Sequence, residues 1–173
     1  MLRRLISGLA TWSELMARRA ERHLSGLGSA IGVIVVLEAI TFLIAALLHG
    51  GVEIPIGIVE PVIVPAMIVE GIIGIAFAAA AFTIFIRKGR SAWALTLTAH
   101  IIATVGVLLG MVAAALGPAP ATDANELYHR IAMGVAALML LFLFTRAAKD
   151  ALNGFTVRET IARATSRSVG VPR

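Results

Sequence analysis

The 173-residue chain contains no cysteine. Disulfides, thiolate metal sites, iron–sulfur ligation and cysteine nucleophiles are therefore excluded, and cysteine usage says nothing about redox compartment. Charge is scarce as well, with 14% charged residues against 59% hydrophobic ones. Soluble globular domains carry roughly a quarter charged residues, and a chain of this size needs polar surface to cover itself in water. The shortage points to a surface that faces lipid. The sequence also lacks a phosphate-binding glycine loop, an H-E-x-x-H element and a G-x-S-x-G element. The formal net charge is +5, but the basic residues flank apolar runs and no aromatic-studded polar surface accompanies them, which argues against nucleic acid.

Four long apolar runs are present instead. The first, Ile31 to Leu48, holds one charge, Glu38, and as a helix reaches about 27 Å, close to the roughly 30 Å hydrocarbon thickness. The second opens at Glu60-Pro61, where a carboxylate precedes a proline in the first turn, and runs to Ile86 with Glu70 as its internal charge. Pro65 falls in its opening turns, where proline costs least. The third, Ser91 to Gly117, carries His100 and no formal charge, and the fourth, Leu127 to Thr145, begins with His129 and Arg130. The fold class expected is an all-α integral membrane protein, a four-transmembrane-helix bundle with an N-terminal amphipathic interfacial helix.

That N-terminal helix is read from residues 2 to 24, where Leu2, Leu5, Ile6, Leu9, Trp12, Met16 and Ala20 recur at helical intervals between arginines. A helix packed beneath the bundle is the alternative. Gly26 and Gly28 mark its expected end, and the charges around Trp12 are unlike a signal peptide. The segmentation is 1–28 for the amphipathic cytoplasmic or interfacial helix, 29–146 for a transmembrane domain with spans about 31–49, 60–86, 91–117 and 127–145, and 147–173 for a basic cytoplasmic tail that permits another short helix.

Of the 15 Lys and Arg residues, 14 lie in the N-terminal segment, the 87–90 turn or the tail, leaving Arg130 on the other side. The positive-inside rule then places both termini in the cytoplasm. The expected location is the cytoplasmic (inner) membrane, with Glu53, Glu60, Asp123 and Glu126 facing outward. Small residues predict close helix contacts at Gly106-x-x-x-Gly110 and at Gly71 and Gly74.

The ionisable residues fall into two groups. Glu38, Glu70 and His100 lie inside spans, where a lone charge costs several kcal/mol unless protonated, paired or wetted. Glu38, Thr41 and His49 share a helical face, and Thr96, His100 and Thr104 form a second polar stripe. Meeting faces would form an interior seam suited to protonation coupling or passage of a small cation. The competing reading is structural: a threonine hydroxyl bonded to its own backbone, a neutral Glu bridging helices, a satisfied core histidine.

His49, Glu53, Glu60, Glu126 and His129 form the second group, at the outer edge. Glu126 and His129 have the E-x-x-H spacing used in di-metal bundles, and His49 and Glu53 stand four apart. Two imidazoles and three carboxylates suit zinc, iron, manganese or copper(II). Haem is disfavoured, because His100 lies roughly 25 Å by helical rise from the edge where His49 and His129 sit. Three functions follow: a proton- or cation-coupled transporter using the Glu/His seam, a metal-dependent membrane redox enzyme using the outer group, and a noncatalytic subunit of a larger membrane complex. Beyond the bilayer, the partners compatible with so small a bundle are copies of itself in a homo-oligomer or other subunits.

Overall fold

The computed structural model describes residues 2–53, 60–87, 91–116 and 122–154. Five α-helices follow in order: α1 (Leu2–His49), α2 (Val64–Phe82), α3 (Ala92–Leu116), α4 (Asp123–Leu143) and the short α5 (Arg146–Asn153). Four stretches are long and apolar enough to cross a bilayer, at Ser25–His49, Val64–Arg87, Ala92–Leu116 and Asp123–Leu143. The protein is an all-helical integral membrane protein, as its composition predicts.

Burial follows the logic of a lipid solvent. The buried apolar residues are largely alanines, among them Ala39, Ala80, Ala99, Ala103 and Ala136, whereas Ile75, Leu116, Leu138, Leu141 and Phe144 are exposed. In water this would be inside out. In lipid, exposed leucine costs nothing, and small residues let helix backbones approach. The Gly106-x-x-x-Gly110 stripe marks contacts with two different partners. A Cβ added at Gly106 would lie 2.6 Å from Ile73 of α2, and one at Gly110 would lie 2.7 Å from His129 Nε2 of α4. At Gly74, a Cβ would meet Leu43 of α1 at 2.7 Å.

Local chemistry sets the helix ends. Gly51, at φ 84°, closes α1 with the N–H of Val52 bonded to the Leu47 carbonyl and that of Gly51 to the Leu48 carbonyl. This is a left-handed glycine cap. The start of α2 is tied back when the Ile63 N–H donates to the His49 carbonyl at 3.0 Å. Pro65 occupies the first turn of α2, where it removes no helical hydrogen bond. The α2 helix then runs into a π-helical turn, Thr83–Arg87. Thr122 and Thr145 cap α4 and α5, accepting from the N–H groups of Asn125 and Ala148. Gly154, in the left-handed conformation, ends α5.

The structure shifts several expected boundaries. No helix end falls at Gly26 or Gly28: α1 is continuous from residue 2 to 49. Glycine inside a helix costs only about 1 kcal/mol, and Gly28 has a use, since a Cβ there would come within 3.0 Å of the Ala151 carbonyl oxygen of α5. The second span is helical from Val64 instead of residue 60, and the fourth from Asp123 instead of residue 127. The short helix after the fourth span is Arg146–Asn153; Phe155 and Ile161, where the sequence permits one, lie outside the described residues.

The α5 helix docks against α1 and α3 at the end of the bundle where α4 finishes. Trp93 of α3 donates from Nε1 to the Leu143 carbonyl at 2.8 Å, and Lys149 Nζ lies 4.4 Å from the centre of the Trp93 ring. Ala148 and Leu152 are buried beneath it.

Candidate functional site

At the opposite end, two side chains reach toward each other from antiparallel helices. Helical side chains lean toward their own N-terminus, so His49, at the end of α1, leans into the bundle while Glu70, on α2, leans outward. They meet with His49 Nδ1 2.7 Å from Glu70 Oε2, both side chains almost wholly buried. The other ring nitrogen, Nε2, lies 3.4 Å from Asn125 Nδ2 on α4. With the amide nitrogen facing Nε2, that nitrogen accepts, the ring is neutral and its Nδ1–H donates to Glu70 Oε2. Turning the amide over presents Asn125 Oδ1 instead, an acceptor for an imidazolium.

Asn125 belongs to a wider polar set. The Thr122 hydroxyl donates to Glu60 Oε1 at 2.6 Å and accepts from the Asn125 N–H at 3.1 Å. His129 Nδ1 donates to the Asn125 carbonyl at 2.8 Å, its ring lying on the bare backbone of Gly110. Tyr128 packs its ring against Phe42 edge to face at 6.0 Å, and its hydroxyl is buried. Three oxygens here are buried without a hydrogen-bond partner: Glu60 Oε2, Asn125 Oδ1 and Tyr128 Oη. Buried polar atoms are normally satisfied, so their coincidence at one end of the bundle is informative.

Deeper in the membrane lies a second histidine–carboxylate pair. His100 Nε2 of α3 stands 3.1 Å from Glu38 Oε2 of α1, with the histidine fully buried and the Glu38 side chain 11% exposed. The contact is close but poorly aligned, and neither atom makes a hydrogen bond. His100 Nδ1 is 2.8 Å from the Thr96 carbonyl. A carbonyl only accepts, so Nδ1 carries a proton. Nε2 then faces Glu38 either as an acceptor before a protonated carboxyl or as the donor of an imidazolium before a carboxylate.

The predicted site residues are thus regrouped. Glu70, grouped by sequence with Glu38 and His100, pairs with His49, which the sequence places both at the outer end of the Glu38 face and among the outer metal candidates. Thr96 and Thr104 flank His100, but both hydroxyls donate to their own helix, to Ala92 and to the His100 carbonyl. Thr41 lies off the seam: although it shares a helix face with Glu38, its side chain is exposed and its hydroxyl donates to the Leu37 carbonyl. Glu53 does not continue the face of His49, since α1 ends at His49, and its side chain is exposed. Glu126 is exposed and paired with Arg130, turned away from His129. Among the described residues, no group of three or more His, Asp or Glu side chains is placed to hold a metal ion.

Nor is the polar seam continuous. Phe42 lies four residues from Glu38 and seven from His49 along α1, and Phe77 lies seven residues inward of Glu70 on α2. Their rings stack at 5.7 Å, and Phe77 meets the His100 ring edge to face at 4.9 Å. An aromatic layer separates the two pairs. Sequence reasoning overlooked Asn125, Tyr128, Thr122, Phe42 and Phe77. Asn125, Tyr128 and His129 do share a helical face at i, i+3 and i+4, a legible signal, and Tyr128 is the chain's single tyrosine.

Comparison with protein-family models, characterised proteins and solved structures finds no match to this chain. Its own geometry carries the functional reading.

Proposed function

We propose that this protein moves protons, alone or together with a small cation, across the bilayer by way of its two histidine–carboxylate pairs. The observation that carries the proposal is the pair of buried contacts, His49–Glu70 and His100–Glu38, stacked in one bundle. Ionisable side chains are expensive in a membrane interior and mark ion or proton pathways when they occur there. Histidine and carboxylate in contact offer two sites of changeable protonation. In the proposed cycle His49 and Glu70 exchange protons with the outer aqueous phase, and Glu38 and His100 with the inner half of the bundle.

In this proposal the basic ends of the helices, with both termini, lie in the cytoplasm, in keeping with the distribution of Lys and Arg. The amphipathic N-terminal part of α1 then lies on that side.

The test is proton uptake into proteoliposomes under an imposed membrane potential, followed with an enclosed pH-sensitive dye. The wild-type protein is expected to exceed protein-free vesicles, and Glu70→Gln and Glu38→Gln each to lower the rate at least ten-fold. Unchanged flux in both variants overturns the proposal.

A further inference from the structure

We propose that α5 is a lid on the inner end of the bundle, whose undocking opens Glu38 and His100 to the aqueous phase on that side. This deepens the transport reading by naming what regulates the inner pair, and it rests on that reading for its purpose. Access to the pair is measurable without transport.

The inner pair is sealed toward its nearer aqueous phase. On α1, Val35, Ile31 and Gly28 follow Glu38 toward the helix start along one face, and all three are buried. On α3, Thr96 and Ala92 follow His100 in the same way, both with no exposure at all. The one hydroxyl on these two faces is spent within its own helix, Thr96 donating to the Ala92 carbonyl. Neither face offers a proton a polar path in this conformation. Both end under α5. A Cβ added at Gly28 would lie 3.0 Å from the Ala151 carbonyl oxygen, and Trp93, beside Ala92, lies under Lys149 Nζ at 4.4 Å. Ala148 and Leu152, on the same face of α5 as Ala151, are buried in one apolar cluster with Ile31, Val35 and Ala92. The α5 helix thus bridges α1 and α3, which have little backbone contact of their own.

The way α5 is held suits a part that moves. Its 8 residues are too few to keep a helix formed in water without a docking surface. The anchors are the small Ala148, Leu152, the close approach at Gly28 and the lysine over Trp93. A pivot lies directly before it. Trp93 Nε1 donates to the Leu143 carbonyl at 2.8 Å and so pins the end of α4, whereas Phe144 and Thr145 just beyond are exposed, and Thr145 leaves the helical conformation at ψ 148°. Rotation at Thr145 lifts α5 from Gly28 and Trp93 while α4 stays in place, which is how a hinge works: a few residues at the end of an element absorb the change. The two faces that lead to Glu38 and His100 are then uncovered together.

Two measurements on the full-length protein test the lid, and the lack of native cysteine leaves only introduced thiols to react. The first reads access alone. Thr96→Cys puts a thiol between His100 and α5, and its reaction with a charged, membrane-impermeant methanethiosulfonate is followed by mass. Adding Leu152→Gln, which weakens docking, is expected to raise the rate about five-fold, as the undocked population grows. Val107→Cys, buried on the outer side of His100 in the same helix, should stay slow in both backgrounds. Equal rates at Thr96→Cys with and without Leu152→Gln, or the same acceleration at Val107→Cys, overturn the lid. Should Leu152→Gln fail to fold, Lys149→Ala, at an exposed position, takes its place with the same expectation.

The second measurement reads flux. A Cβ added at Gly28 lies 4.0 Å from the Ala151 Cβ, a separation that a disulfide bridges. Oxidation of the Gly28→Cys/Ala151→Cys variant in proteoliposomes is expected to lower proton uptake about five-fold relative to the same variant reduced, and reduction to restore it. Flux untouched by the lock overturns the lid and leaves the transport reading standing. Gated access at Thr96→Cys in a protein that carries no protons does the reverse.

Discussion

Phe77 places its ring edge 4.9 Å from the ring of His100, and its face against Phe42. The aromatic side chains beside the inner histidine–carboxylate pair therefore also lie between it and the outer one. In the transport proposal, a file of polar groups open from end to end would leak, whereas two sites divided by an apolar layer would be filled from one side at a time. Hydrophobic constrictions of this sort gate channels by excluding water.

Thinning that layer should open a leak. In proteoliposomes, Phe77→Ala is expected to raise passive proton permeability several-fold above the wild type, whereas Phe77→Leu, which keeps most of the volume, should stay close to it. Truncating a buried Phe commonly costs about 3–5 kcal/mol, so the size-exclusion profile of the variant must be checked first. A folded Phe77→Ala protein no leakier than the wild type would show that the aromatic layer is not the barrier.

The outer pair should behave as a unit. Glu70→Gln and His49→Gln each leave a buried partner without its charge-assisted hydrogen bond, a loss of about 3–5 kcal/mol by analogy with broken buried pairs. The double variant is expected to be less destabilised than the sum of the singles, by about 0.5–3 kcal/mol. Unfolding midpoints of the four proteins give the coupling. Strict additivity would mean that the 2.7 Å contact contributes nothing of its own.

Close backbone approach predicts a ranking among three glycines. Gly110→Ala pushes a methyl into the His129 ring, which is held by its bond to the Asn125 carbonyl, and should cost about 1–3 kcal/mol. Gly106→Ala meets the movable end of Ile73 and should cost less. Gly134→Ala meets nothing and should be neutral. Thermal midpoints in a single detergent check the order, and a Gly134→Ala protein less stable than Gly110→Ala would contradict it.

Because the chain has no native cysteine, topology can be mapped with single cysteines and a membrane-impermeant maleimide. Asp123→Cys is expected to react in intact cells, and Arg87→Cys only after lysis. The opposite pattern would invert the proposed orientation and move the His49 site to the cytoplasmic face.

The regrouping of Glu70 shows where sequence reasoning stopped. Its burial was legible, since an ionisable group inside an apolar run must face the protein. Its partner was not, because His49 lies 21 positions away and their meeting depends on α2 starting beside the end of α1, where the Ile63 N–H donates to the His49 carbonyl. Thr41 failed for a related reason: helical spacing puts it within 60° of Glu38 on an ideal wheel, but only the position of α2 decides on which side of that arc protein gives way to lipid.

By itself, the sequence determined that this is a helical membrane protein with four apolar spans, and that Glu38, Glu70 and His100 turn toward its interior. Those properties follow from local composition and the bilayer's demand that backbone polar groups be satisfied within the helix. Only the tertiary structure decided which buried groups touch: His49 with Glu70, Glu38 with His100, and Phe42 and Phe77 between them. Pairing across helices depends on rotation, depth and tilt, and these are set by where small residues such as Gly74, Gly106 and Gly110 allow one backbone against its neighbour. A run of apolar letters does not record that contact.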